Sequence, residues 1–236
     1  MEPRSLNRRS PVYRKLQDAG AEFVERNGYA VASAITKPEV EAAAVGTLSL
    51  CDLSGLARLG FKGPGATEWL STQGLQIPTQ SNRAIRQQDG LLLAKLAPNE
   101  ALLLDDLDRP SQLMETLMDR WQAATEAPSV RGFPVSRQDS HAWFAVTGTQ
   151  APATLAKLCA VDLRPNAFPQ LQVAQTSIAR LNAIVIRDDL PDFPVYHLLA
   201  DLAASEYWWD CLLDAGLEHD VRVVGLGALR RGPELA

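Results

Sequence analysis

Apolar positions along this chain fall into short runs punctuated by glycine and proline, and one stretch sets the pattern for the rest. Leu59-Gly60-Phe61 reads as a brief buried strand, Lys62-Gly63-Pro64-Gly65 as a tight turn, and Ala66, Trp69 and Leu70 as one face of a helix. Gly63 can take a backbone conformation that a side chain forbids. Pro64 suits the first helical position, where its missing N–H costs nothing. Gly74 stands where that helix should stop. The pattern returns at Trp143-Phe144-Ala145-Val146-Thr147-Gly148 and the helix that follows. Gly63/Ala66/Leu70 and Gly148/Ala151/Leu155 share the spacing G-x-x-A-x-x-x-L.

In chain order, Ser10-Pro11 opens a predicted helix through Tyr13, Leu16 and Ala19 to Phe23 or Val24, with Asn27-Gly28 as its stop. Lys37-Pro38 starts a second helix, and residues 48–54 lead through Gly55 into the first strand. After Gly74 the pattern predicts a polar loop with Pro78, Ser81 and Asn82. Residues 90–96 and 101–104, joined across Pro98-Asn99, form a predicted hairpin. A helix is expected from Pro110 to Ala124, with Leu113, Leu117 and Trp121 on one stripe. Residues 125–134 read as a loop between two halves. Strands are then expected at about 142–146, 172–180, 183–186 and 194–199, with a helix from Gly148 to about Leu158 after the first of them. Asp201 is placed to cap a last helix containing Tyr207, Trp208, Cys211 and Leu212. Trp209 and Leu213 lie outside its main stripe, so this helix is either buried on two sides or turned toward another chain. The expected fold is α+β, two related strand–helix–strand–strand–helix halves with largely antiparallel pairing. Residues 1–9 would be a flexible basic arm and 10–236 a single domain, made of pseudo-repeats at about 10–127 and 128–236.

Composition narrows the function classes. Of 236 residues, 46% are hydrophobic and 22% charged, ordinary for a globular protein that buries its own core. No run approaches the ~18 apolar residues of a membrane span. A net charge of −5 argues against a nucleic-acid surface. Cys51, Cys159 and Cys211 are few and far apart, which suggests buried free thiols in a reducing compartment and neither disulfides nor a zinc site. The first fifteen residues carry Arg4, Arg8, Arg9, Arg14 and Lys15 without an apolar segment, so they are not a secretory signal. They read as a flexible arm or as a contact segment for an acidic partner subunit. A cytoplasmic location is expected.

Candidate chemistry is sparse. Gly63-Pro64-Gly65 before a helix could offer N–H groups to an anion, but Pro64 removes a donor and Glu68 adds negative charge. Gly225-Leu226-Gly227 lacks the third glycine of a dinucleotide loop. His141, His197 and His219 are scattered. Asp139-Ser140-His141 holds the residue types of a hydrolase triad, yet adjacent residues cannot place three side chains in series. The doublets Asp105-Asp106 and Asp188-Asp189 could ligate a metal or take a proton, or could simply cap turns.

Several segments resemble known families. Ser10-Pro11-Val12-Tyr13, Ala19-Gly20-Ala21-Glu22-Phe23-Val24 and Gly28-Tyr29 resemble the opening of the glycine-cleavage T-protein (aminomethyltransferase) family. Cys51-Asp52-Leu53-Ser54 and Lys62-Gly63-Pro64-Gly65-Ala66-Thr67-Glu68-Trp69-Leu70 are similar to its D-V-S-H and v-x-G-P-D-A-x-x-F-L segments. Gly225-Leu226-Gly227-Ala228 resembles its G-L-G-A-R-D-T-L-R, from which Leu229-Arg230-Arg231 departs. The run from Leu155 to Pro169, with Cys159, Asp162-Leu163, Pro165 and Ala167-Phe168-Pro169, is similar to L-A-K-G-C-x-x-D-L-H-P-R-A-F-P of the sarcosine oxidase gamma subunit family. Val173-Ala174-Gln175-Thr176, Tyr207-Trp208-Trp209-Asp210 and Asn99-Glu100-Ala101-Leu102-Leu103-Leu104 resemble that family's A-Q-T, Y-L-W-D and D-E-W-L-L-L.

The departures carry the expectation of function. T-proteins have a paired aspartate before the first hairpin strand, where this chain has Asp89-Gly90. They have T-G-E-x-G-F-E, whose glutamate holds the pterin, where this chain has Asp188-Asp189-Leu190-Pro191-Asp192-Phe193-Pro194. The sequence also ends soon after its G-L-G-A segment, which implies no T-protein C-terminal domain. The resemblance therefore implies a T-protein folate-binding-domain-like fold kept for assembly. This chain would be a gamma-type subunit of a heterotetrameric sarcosine-oxidase-like flavoenzyme, contributing no catalytic, cofactor-binding or metal-binding residue. Its partners would be alpha, beta and delta subunits carrying FAD, FMN, NAD, tetrahydrofolate and zinc, in a complex that oxidatively demethylates an N-methyl amino acid such as sarcosine. Two rivals are a stand-alone folate-dependent aminomethyl- or methyltransferase with an altered site, and a T-protein-like maturation protein.

Overall fold

The computed structural model describes residues 1–124 and 131–230, so the boundary expected near residue 127 lies outside the described residues. In chain order the elements are β1 (Arg8–Arg9), α1 (Tyr13–Asp18), β2 (Glu22–Arg26), β3 (Tyr29–Ala34), α2 (Pro38–Thr47), β4 (Ser49–Asp52), β5 (Arg58–Lys62) and α3 (Ala66–Thr72). There follow β6 (Arg83–Arg86), β7 (Leu92–Ala97), β8 (Glu100–Leu104), α4 (Leu113–Ala124), β9 (Phe133–Ser136), β10 (His141–Thr147) and α5 (Ala151–Ala156). The last are β11 (Val173–Ile178), β12 (Leu181–Arg187), β13 (Val195–Asp201), α6 (Ser205–Gly216) and β14 (Arg222–Val224). By packing, the chain divides into one unit of Met1–Leu56 with Ser140–Ala236 and a second of Ala57–Asp139.

The first unit contains a six-stranded sheet in the order β11-β12-β13-β10-β4-β14, antiparallel except for β14 beside β4. Phe144 of β10 and Leu198 and Tyr196 of β13 point to the face covered by α5 and α6. The Phe144 ring lies 5.2 Å from Trp208 and 5.1 Å from Trp209. Both tryptophans are buried inside this unit, which accounts for the wide apolar arc of α6 without a second chain. Asp201 accepts the N–H of Ala203 at 2.8 Å and so caps the short 3-10 turn leading into α6.

The same unit holds a small sheet ordered β1-β3-β2. Here the expected helix through Phe23 is corrected. α1 ends at Asp18, and Gly20, at φ +88°, turns the chain into β2. Asn27 and Gly28 both have positive φ, 51° and 76°, the backbone signs of a tight hairpin turn, so they join β2 to β3 and end no helix. Arg8 and Arg9 pair in parallel with Tyr29 and Ala30, and the Met1 amino group donates to the Phe23 carbonyl at 2.8 Å. The segment 1–9, expected as a flexible arm, is thus tied to this sheet.

In the second unit a five-stranded antiparallel sheet runs β6-β7-β8-β5-β9. α3 and α4 cover one face, where Phe61, Trp69 and Trp121 meet with ring centroids 4.6–5.4 Å apart. β6 falls in what the pattern predicted as the end of a polar loop. Of its residues Arg83, Ala84, Ile85 and Arg86 only Ala84 is buried, so this edge strand has no apolar run to announce it. Ser111 Oγ accepts the N–H of Leu113, which sets the start of α4 at Leu113 instead of Pro110.

The two repeated glycine turns have matching hydrogen bonds. Gly63 (φ +116°) donates its N–H to Asn99 O, and Ala66 donates to Gly63 O at 3.1 Å. Gly148 (φ +98°) donates to Pro194 O, and Ala151 donates to Gly148 O at 3.1 Å. Pro64 does not occupy the first helical position: α3 begins at Ala66 behind Gly65, itself left-handed at φ 81°. A Cβ on Gly148 would come within 2.4 Å of Thr47 O at the end of α2, whereas one on Gly28 meets nothing within 4 Å. Gly148→Ala is therefore expected to cost more than about 3 kcal/mol, from strain plus backbone displacement, and Gly28→Ala only about 1 kcal/mol. Urea unfolding of the two variants checks the difference; equal shifts would contradict it.

Candidate functional site

On β10, β12 and β13 alternate residues turn away from α5 and α6. This second sheet face carries His141 and Trp143, with His197 and Leu199 beside them and Ile184 and Ile186 next in register. Trp143 donates its indole N–H to His197 Nδ1 at 3.2 Å, with the rings 5.6 Å apart. A neutral His197 that accepts at Nδ1 carries its proton on Nε2. That nitrogen lies 3.8 Å from Asp188 Oδ2. His197 and Asp188 are each 1% exposed. Such a pair can hold or pass a proton, yet its burial keeps it from a substrate in this conformation. The Trp143–His197 contact joins residues 54 apart, and only strand register reveals it.

Asp189, the other half of the doublet, faces Arg187. Arg187 donates Nε–H to Asp189 Oδ1 at 2.8 Å and Nη2–H to Asp189 Oδ2, a fork-on-fork pair. Its Nη1 donates to the carbonyls of Pro165 (3.0 Å) and Phe168 (2.7 Å). Tyr196 donates its hydroxyl to Leu163 O at 2.6 Å, and burial pushes its pKa up to about 12. With Leu163 and Phe168 buried, the segment 163–168 is fastened to β12 and β13 at three carbonyls. This segment lies within the run that resembles the gamma subunit family. It walls a cavity of about 890 Å³, whose other side is Pro152, Ala153 and Ala156 of α5. At its rim Arg164 holds the exposed Asp162 carboxyl down to about 2. A second cavity, of about 390 Å³, opens beside His141, Gln175, Asn182 and Leu199.

The remaining candidates serve turns. In the second unit Asp105 Oδ1 accepts the N–H groups of Asp106 (3.0 Å) and Ser111 (2.8 Å). Asp106 accepts from Arg109 N–H and sits against Gly90, where a Cβ would come within 2.6 Å of its carboxyl carbon. Arg86 lies 3.6 Å from Asp106 and donates to Gly90 O. Asp89 accepts from Leu91 N–H and Ser111 Oγ–H. The fold thus gathers Asp89, Asp105 and Asp106, which the sequence left apart, but around backbone donors. Among the described residues no group of three or more His, Cys, Asp or Glu could hold a metal ion.

Gly225 approaches the backbone so closely that a Cβ would meet Ser33 C and Ala34 N at 2.3 Å. Its N–H donates to the buried Glu41 carboxylate at 3.1 Å, and Glu41 also accepts from Ile35 and Thr36. A carboxylate already occupies the place where a phosphate would bind. Gly63-Pro64-Gly65 leads into a helix of only seven residues with Glu68 in its first turn. Ser140 Oγ and His141 Nδ1 lie 2.8 Å apart, a contact between an exposed serine and its half-buried neighbour. His219 pairs with Glu218 at 3.3 Å, away from the sheet. All three cysteines are free thiols. Burial, then the charges of Asp52 and Glu41, push the Cys51 thiol well above its usual range, while Cys211 is half-buried beside Tyr207.

A family model, the GCVT N-terminal domain, matches residues 86–231. Among solved structures, the glycine cleavage system aminomethyltransferase T from Bartonella henselae is 19% identical with a TM-score of 0.69, over 94% of this chain and 60% of that one. A chain of the heterotetrameric sarcosine oxidase from Corynebacterium sp. U-96, in complex with pyrrole 2-carboxylate, is 21% identical with a TM-score of 0.65, over 97% of this chain and 99% of that one. These likenesses establish a mixed α+β fold similar to the glycine-cleavage T-protein. No curated protein matches the sequence. Among the described residues no helix is long and apolar enough to cross a membrane.

Arg187→Lys keeps a charge but cannot reproduce the fork and the two carbonyl bonds, so a loss of about 3 kcal/mol is expected in denaturant unfolding. A loss below about 1 kcal/mol would show that the guanidinium does not hold the 163–168 segment. Iodoacetamide should modify Cys211 in the native protein at least about 100-fold faster than Cys51, which should react only on unfolding. Peptide mapping by mass spectrometry reads both rates.

Proposed function

The chain belongs to the GCVT N-terminal domain family, and on that premise we propose that it is a non-catalytic, gamma-type subunit of a heterotetrameric sarcosine-oxidase-like flavoenzyme. The observation that carries this reading is the extent of the two structural likenesses. The sarcosine oxidase chain is matched over 99% of its length, whereas this chain spans only 60% of the aminomethyltransferase. The fate of the candidate residues supports it. Asp89, Asp105 and Asp106 accept from backbone N–H groups, and Asp188-Asp189 is turned to His197 and Arg187. On this reading FAD, FMN, NAD, tetrahydrofolate and zinc are held by alpha, beta and delta partners, the complex demethylates an N-methyl amino acid such as sarcosine, and it works in the cytoplasm.

The proposal includes an internal duplication. β5-α3-β6-β7-β8-α4 and β10-α5-β11-β12-β13-α6 run in the same order. Each central strand, β5 or β10, lies between the last hairpin strand and a strand from outside its own series, β9 or β4. The matched bonds of Gly63 and Gly148 favour two copies of one unit, at about 10–127 and 128–236. β4 and β9 would then be strands exchanged between the copies, which is why the packing units do not follow the repeats.

The family membership also favours one rival, a stand-alone folate-dependent transferase. Titration of the isolated chain with tetrahydrofolate separates the two, because a buried pterin site without its carboxylate contact loses affinity steeply. No saturable binding is expected below about 100 μM, and a Kd in the low micromolar range would sink the subunit reading. Co-expression with a flavoprotein encoded beside this chain is expected to give co-elution with flavin absorbance. Elution of this chain alone would count equally against the proposal.

A further inference from the structure

Three arginines near the start of the chain, Arg4, Arg9 and Arg14, gather around Tyr13, and a fourth, Arg8, lies over Tyr29. Arg4, Arg8 and Arg14 are exposed and Arg9 half-exposed. Arg9 and Arg14 flank the Tyr13 ring, with Cζ 5.0 and 5.7 Å from its centroid, and Arg8 lies 5.5 Å from the centroid of Tyr29. Arg14 Nε–H donates to the Tyr13 hydroxyl oxygen at 3.2 Å. That bond first, then the charges of Arg14, Arg9 and Arg4, hold the Tyr13 pKa below its usual 10. Among the described residues none of the four guanidinium groups forms an ion pair. The nearby acids are few: Glu2 accepts from Arg4 N–H and Gln17, Asp210 is taken by Lys15, and Glu206 acts on Arg14 from the first turn of α6.

Leaving like charges together is unfavourable unless something else neutralises them. Stacking on tyrosine uses the flat face of a guanidinium and leaves its N–H edge for an oxyanion. The Tyr13 O–H, whose oxygen accepts from Arg14, remains a donor beside them. The charges lie on three short elements, the turn at Pro3–Ser5, β1 and α1. A spread of that kind suits several carboxylates on a protein surface better than one small anion. A nucleic acid fits poorly: the chain carries −5 overall, and Glu2 and Glu206 border the face.

We propose that the face formed by Arg4, Arg9 and Arg14 around Tyr13 docks a carboxylate-rich surface of a partner protein. It rests on the subunit reading for who that partner is, and on the geometry alone for what it must look like. Electrostatic docking of this kind sets orientation and association rate and weakens with salt.

The test uses the full chain with poly-glutamate as probe, and inorganic phosphate, phosphatidylserine vesicles and single-stranded DNA in parallel. Saturable poly-glutamate binding is expected, weakening about ten-fold between about 50 and about 200 mM salt. The triple variant Arg4→Gln, Arg9→Gln, Arg14→Gln should lose at least about ten-fold, and the remote Arg222→Gln none. If the triple variant fails to fold, the exposed pair Arg4→Gln, Arg14→Gln should still lose about three-fold. Unchanged affinity in these variants, or tighter binding of phosphate, vesicles or DNA than of poly-glutamate, overturns the proposal. A flavoprotein that co-elutes equally with wild type and triple variant overturns the docking face and leaves the subunit reading standing. Poly-glutamate binding with no co-eluting flavoprotein does the reverse.

Discussion

One nearly enclosed guanidinium, Arg187 at the end of β12, holds together much of what is distinctive in the first unit. It satisfies the Asp189 carboxylate and two backbone carbonyls at once, so the segment 163–168 lies against the sheet instead of looping free. Without it those carbonyls would lose their donors, and a half-buried carboxylate would lose its counter-charge. Tyr196, with its hydroxyl on Leu163, supplies the remaining tie. The cavity beside α5 has a fixed wall because of these bonds.

The same economy governs the other acidic groups. A carboxylate pair in a sequence looks like chemistry because it brings several lone pairs to one place. In this fold those lone pairs meet backbone N–H groups: two on Asp105, and three across the carboxylate of Glu41. A carboxylate so occupied fixes turns and has little left to offer a substrate. His197 is a different case, with Trp143 on one nitrogen and Asp188 facing the other, but it is enclosed. Polar groups of this kind give the sheet face a single arrangement of side chains, since each has one partner geometry.

Legibility in the sequence followed how local each cause was. The G-x-x-A-x-x-x-L turns could be read because Gly63 and Gly148 are needed by their own backbone angles, and the Ala and Leu positions by the helix they open. Asn27-Gly28 is punctuation that the sequence alone cannot assign to one kind of turn. Both a helix end and a hairpin turn want positive φ, and only the pairing of β2 with β3 decides between them. β6 leaves no apolar pattern in the sequence, because this edge strand has one buried residue, not an apolar run. The cluster of Asp89, Asp105 and Asp106 and the Trp143–His197 bond depend on register between distant strands, which no local pattern encodes. Arg187 left one trace, a charge closing the apolar run Ala183-Ile184-Val185-Ile186.

Charge then separates what the fold uses from what it leaves over. Arg58, Arg137 and Arg187 meet carbonyls or carboxylates within their own unit. Arg8, Arg9 and Arg14 lie over tyrosine rings, and among the described residues neither they nor Arg4 forms an ion pair. Tying residues 1–9 to β3 turns what would be a diffuse basic tail into a fixed pattern of donors. Ordering costs conformational entropy, and the two paired residues of β1 return few hydrogen bonds for it. A fixed basic face makes more sense when its carboxylates come from another molecule.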